Sequence, residues 1–227
     1  MRRSQPTAPS IPDRSGKENP MDGTHECRSI AKAGHTGDRR VVEKGLTADD
    51  PRARVLAIGA AVRLEMLDVE RIVGFLSDES HDVRYRALEV LPKLSDRADG
   101  TDAVIAQLAD PELAELAAFT LGEIEPRGEP GRRAVDALRR QATGHDDALC
   151  RESAVAALGA LGAGIDAILA ACDDIATVRR RAVLALAPFE GPAVEAALIR
   201  ALEDRDWQVR QAAEDLLSVD AGHDGDD

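Results

Sequence analysis

The sequence predicts an all-α protein, an α-solenoid in which antiparallel helix pairs stack into a right-handed superhelix. Six segments that follow Asp-rich turns share one register: 50-DPRARVLAIGAAVRL, 80-SHDVRYRALEVLPKL, 110-DPELAELAAFTLGEI, 147-DALCRESAVAALGAL, 175-IATVRRRAVLALAPF and 206-DWQVRQAAEDLLSVD. Self-similarity at a period near 30 residues is the mark of a repeat architecture. Small and large apolar residues fall three and seven positions after a recurrent Arg, so they share one face of a helix. No segment alternates apolar and polar residues with the period of a strand.

Taken in chain order, residues 1–24 hold Pro6, Pro9, Pro12 and Pro20 among Ser, Arg and Gly, a composition that predicts a disordered leader. The repeat domain is expected over 25–219. First helices of the pairs are expected near 38–47, 68–77, 101–109, 131–142, 165–172 and 192–203, each preceded or opened by Gly, Pro or Asp. The second helices are the six aligned segments. Their repeat Arg residues are Arg54, Arg84, Arg151, Arg179 and Arg210, and the third segment carries Ala114 in that place. The small residues at three are Ala57, Ala87, Ala117, Ala154, Ala182 and Ala213. At seven stand Ala61, Leu91, Leu121, Leu158, Leu186 and Leu217. One short pair cannot bury both of its apolar sides, so neighbouring pairs must stack over a continuous core. Residues 220–227, rich in Asp and Gly, read as an acidic tail.

The Val-Arg-x-x-Ala-x-x-x-Leu lines resemble HEAT-repeat proteins, especially the short HEAT-like repeat associated with phycobilin lyases. The resemblance covers about residues 38–219. It implies the helical-repeat fold, while function lives in the site that a fold carries.

Composition narrows the functions. Lys and Arg total 29 against 42 Asp and Glu, and this net charge of -13 opposes tracking of a phosphate backbone or an anionic membrane surface. Nucleic acid and membrane are therefore not expected partners. Some HEAT-repeat enzymes hold two irons with several His-Glu pairs; here one such pair occurs, His25-Glu26, and no metal or other cofactor is expected. A phycobilin lyase would imply a bound tetrapyrrole, yet no distinctive pigment site is written in these residues. Cys27, Cys150 and Cys172 lie far apart without a CxxC spacing, which fits a reducing cytoplasm better than a disulfide framework. Cys150 and Cys172 read as packing thiols, and Cys27 as the exposed one. The turn at 144-GHDD reads as a capped connection.

These readings predict a non-enzymatic scaffold that binds a protein through a concave helical surface; the alternative is an accessory subunit of a lyase or hydroxylase-type repeat enzyme. The repeat Arg, together with Asp50, Asp110, Asp147, Asp174 and Asp206, is expected to cap turns and bond along the stack. Positions one, five and nine after the Arg point away from the Ala and Leu core. That stripe reads Val55, Gly59, Arg63, then Tyr85, Glu89, Lys93, then Glu115, Phe119, Glu123, then Arg180, Leu184. Tyr85 and Phe119 are candidate anchors, although Phe119 has a second possible place in a gap between repeats.

Overall fold

The computed structural model describes residues 20–223, with side-chain surroundings from 23 to 218. Within these residues thirteen α-helices and two 3-10 turns occur, and no strand. Six pairs follow the predicted order: α2 (Arg39–Leu46) with α3 (Pro51–Arg63), α4 (Val69–Phe75) with α5 (His81–Val90), and α6 (Thr101–Gln107) with α7 (Ala114–Ile124). They continue with α8 (Gly128–Gly144) and α9 (Ala148–Ala160), α10 (Ile165–Ala171) and α11 (Ala176–Ala185), then α12 (Pro192–Leu202) and α13 (Trp207–His223). Helix α1 (Pro20–Thr36) precedes them and was not anticipated. It starts inside the stretch read as a leader, and α13 runs into the stretch read as a tail. The rest of the leader, 1–19, and the end of the tail, 224–227, lie outside the described residues.

Short polar side chains start many of these helices. Asp38, Asp50, Asp68 and Asp147 each accept a hydrogen bond from a backbone N–H in the first turn of the helix that follows. Gly164 opens α10 with φ of 71°, in the left-handed region where a Cβ is disfavoured. A Cβ there would also stand 2.7 Å from a methyl of Leu158.

The core is the predicted Ala and Leu register. All six Ala residues at position three have no exposed surface, and Leu91, Leu121, Leu158 and Leu186 are buried at position seven. Leu217, in the last described helix, is only half-buried, with no further repeat among the described residues to cover it.

Second helices form one continuous row, α3, α5, α7, α9, α11 and α13, and α1 extends it at the amino-terminal end by packing on α3. Successive members of this row approach closely through small residues. A Cβ on Gly159 would fall 2.8 Å from Ala185 Cβ, and one on Gly122 would fall 3.2 Å from Ala157 Cα. First helices touch one another less than second helices do, the contact pattern of a stack whose second-helix row is its inner side.

Candidate functional site

The repeat Arg residues are the most regular polar feature. Arg54 donates from Nε and Nη2 to both carboxylate oxygens of Asp78, at 2.9 and 2.8 Å, while its Nη1 donates to the carbonyls of Ala48 and Asp49. Arg151 grips Asp174 in the same two-pronged way at 2.7 and 2.8 Å, and Arg179 grips Asp204 at 2.8 and 2.7 Å. Arg84 reaches Asp110 at 2.8 Å, and Arg210 closes its own turn on the carbonyl of Asp204. Arg54, Arg84, Arg151 and Arg179 therefore each tie their own turn to the turn of the next repeat, and the planar fork suits this task.

The expected Asp set divides into two jobs. Asp50, Asp147 and Asp206 serve only as local caps, and Asp50 is bound by Arg52 of its own helix. Asp78 and Asp204, absent from the expected set, are rungs, because they precede the Arg by six residues and face the neighbouring turn. Asp110 and Asp174, within the expected set, join both roles, and all four rung carboxylates, Asp78, Asp110, Asp174 and Asp204, accept from a nearby backbone N–H as well as from the preceding Arg.

One rung is missing, between the third and fourth repeats, where Ala114 replaces the Arg and His145 stands six residues before Arg151. There Gln141 of α8, buried, donates its amide to the carbonyls of Ala114 and Cys150 at 3.1 and 3.0 Å. His145 Nδ1 instead accepts from the backbone N–H of Asp147, as a turn residue.

Carboxylates of the ladder are held below the ordinary Asp range. For Asp110, Asp174 and Asp204 the leading cause is the hydrogen bond from Arg84, Arg151 and Arg179 respectively. For Asp78, burial is the largest influence and opposes this, but the Arg54 bond and the Ser80 backbone N–H outweigh it together with nearby cations. Burial pushes all three thiols the other way. Cys172 rises to about 11, and Cys27, half-buried instead of exposed, and Cys150 are also raised. Thiols in that state are poor nucleophiles at neutral pH.

On the inner row, the predicted stripe divides between floor and rim. Tyr85 and Phe119 are 45% and 54% exposed, which removes Phe119 from any gap between repeats. Glu89, Lys93, Glu115, Glu123, Arg180 and Leu184 are exposed as well. Gly59 is buried, because the guanidinium of Arg86 lies across it.

A groove of about 750 Å³ runs between α1, α3 and α5. Cys27, Ala31, Val55, Leu56, Gly59 and Tyr85 make it largely apolar, while Arg63, Asp82, Arg86 and Glu89 supply charge. Four members of the predicted stripe beside Tyr85 thus converge here: Val55, Gly59, Arg63 and Glu89. Phe119 and the α11 residues Arg180 and Leu184 lie on later helices of the row. The wall from α1 was missed. Its signal was the helical spacing of Cys27, Ile30, Ala31 and Gly34, weak because only Ile30 is large.

Groups of His, Cys, Asp and Glu able to hold a metal ion are absent among the described residues, and His25-Glu26 sits on α1 with no further ligands. No helix among the described residues is long and apolar enough to cross a membrane.

The stacked pairs and their register define an α-solenoid of the HEAT and armadillo type. Residues 178–204 match the family model described as PBS lyase HEAT-like repeat. Comparison with curated proteins gave no match. Among solved structures the chain is similar to an engineered protein at 20% identity and TM-score 0.57, covering 84% of this chain and 95% of that one. It is also similar to the complex of CpcE and CpcF of phycocyanin lyase from Nostoc sp. PCC7120, at 21% identity and TM-score 0.55, covering 92% and 79%. Computationally designed armadillo repeat proteins for modular peptide recognition match at 15% identity and TM-score 0.51, covering 84% and 98%.

Proposed function

We propose that this protein is a non-enzymatic scaffold that holds a segment of a partner protein against its inner helical row. The observation that carries the reading is the exposure of Tyr85 and Phe119 on the adjacent helices α5 and α7, with Tyr85 lining an apolar groove. Large aromatic side chains left open on a concave surface are the residue type that most often anchors a partner. The charge of the stripe supplies selectivity, with Glu115 and Glu123 near Phe119 and Arg180 farther along. The similarity to armadillo repeat proteins designed for modular peptide recognition supports this reading.

The test is a paired substitution, Tyr85→Ala with Phe119→Ala, followed by capture of partners from the native lysate and thermal melting. Loss of a captured protein with an unchanged melting point supports the reading. Undiminished capture assigns the rings no part in it.

The second reading is an accessory subunit of a lyase, favoured by the PBS lyase HEAT-like match and the similarity to the phycocyanin lyase complex. Co-purification of a visible chromophore, or its uptake in an absorbance titration, would favour this reading over the scaffold.

A further inference from the structure

The groove between α1, α3 and α5 ends in a cation that the fold does not use. Every other Arg lining it is neutralised: Arg52 by Asp50 at 3.0 Å, and Arg86 by Glu89. Arg63 has no hydrogen bond or ion pair among the described residues, although acidic residues outnumber basic ones by 13 across the chain. Its guanidinium lies over Gly34 of α1, so close that a Cβ there would stand 2.6 Å from Nη2. A cation in the last turn of a helix ordinarily serves the helix's free carbonyls. At α3 that service is already performed by Arg39, whose Nη1 donates to the Leu64 carbonyl at 2.8 Å. Arg63 is left exposed at the rim, with His35 of α1 also lining the groove.

We infer that this groove takes a short extended peptide segment of a partner protein in which apolar residues flank an acidic one. The apolar side chains lie on Val55, Leu56, Cys27 and the Tyr85 ring, and the carboxylate pairs with Arg63. Two features select this chemistry: an apolar floor, and one unpaired guanidinium whose planar fork matches a carboxylate. A basic residue in the acidic one's place would bring a second cation to Arg63, and the carboxylate open to it, Asp82, stands at the start of α5 and not at the α3 end where Arg63 lies. The inference rests on the concave-surface reading and adds to it the chemistry of the segment at the amino-terminal end.

The test uses the full chain, fluorescently labelled, on an array of hexapeptides Gly-Z-Z-Asp-Z-Gly, with Z drawn from Leu, Ile, Val and Phe, and a matched set with Lys in place of Asp. Retention on the Asp set is expected to exceed that on the Lys set at least tenfold. Arg63→Glu should invert the preference, Arg63→Gln should abolish it, and Arg180→Glu on α11 should leave it intact, all with unchanged helical circular dichroism. Equal retention on the two sets, a preference for Lys, or an Arg63→Glu variant that still prefers Asp would overturn the inference while leaving a concave peptide site standing. Retention of neither set overturns it too, and capture by the Tyr85 and Phe119 variant then decides the broader reading by itself. A concentration-dependent dimer that Arg63→Glu dissolves would give the groove to a second copy of this chain and likewise overturn it.

Discussion

Arg179 holds Asp204 with two parallel bonds, at 2.8 and 2.7 Å, and closes its own turn with a third to the carbonyl of Asp174 at 2.8 Å. The pair joins the fifth repeat to the sixth, and both side chains are largely shielded from water. By contrast Arg71–Glu43 and Arg133–Asp102, which link first helices on the outer side, stand in solvent. Shielded pairs are costly to break from one side because the remaining charge stays buried, whereas exposed pairs contribute little.

Arg179→Ala should therefore destabilise the protein by about 3 kcal/mol, read as a fall in the urea midpoint. Arg133→Ala should stay within about 0.5 kcal/mol of the parent. Equal midpoint shifts for the two variants would show that the ladder does not carry the register.

The same rungs predict an acid-sensitive stability. Asp110, Asp174 and Asp204 are held below the ordinary carboxylate range chiefly by their Arg partners, and Asp78 is held there against the opposing effect of burial. A carboxylate with a depressed folded pKa binds its proton more readily when unfolded, so its contribution is complete above the unfolded value near pH 4 and drains away as pH falls through the folded value. Melting temperature should drop steeply below about pH 4. Asp204→Asn should start from a lower plateau and show a shallower drop; an identical acid profile in this variant would refute the linkage.

Close approach of the inner helices gives a contrast between glycines. Gly159→Ala drives a methyl to 2.9 Å from Ala185 Cα, a backbone atom that cannot swing aside, and should cost about 1 to 3 kcal/mol. Ala117→Leu and Ala154→Leu, at positions with no exposed surface, should fall in the same range of about 1 to 3 kcal/mol. Gly74→Ala, on α4 with nothing within 4 Å, should instead raise stability by about 0.5 kcal/mol through a less flexible unfolded chain. Thermal melts of the four variants check the signs directly.

Phe119 and Leu121 sit two residues apart on α7 and face opposite ways. Leu121 is fully buried, so Leu121→Ala should cost about 2 to 5 kcal/mol. Phe119→Ala, which removes an exposed ring, should change stability by about 0.5 kcal/mol or less. A comparable loss from both would place the ring in the core and withdraw it from the binding surface.

Repeat register was legible in the sequence because burial acts locally on a helix: residues three and seven after the Arg must share a face whatever surrounds them. The six Ala residues and the Leu series follow from that, as does the outward stripe bearing Tyr85 and Phe119. What the chain order hid were relations between helices far apart in sequence. Asp78 and Asp204 are rungs because a turn stacks beside the turn of the preceding repeat, and Gln141 fills the gap at Ala114 because α8 passes there. Gly159 is required by Ala185 on the next helix. Helix α1 belongs to the inner row only because its small residues fit α3, a fit that carries almost no signal in hydrophobicity. The groove and its unpaired Arg63 arise at that junction. Periodicity thus determined which face of each helix is buried, while stacking alone decided which charges meet and which are left open, because those distances depend on packing across repeats.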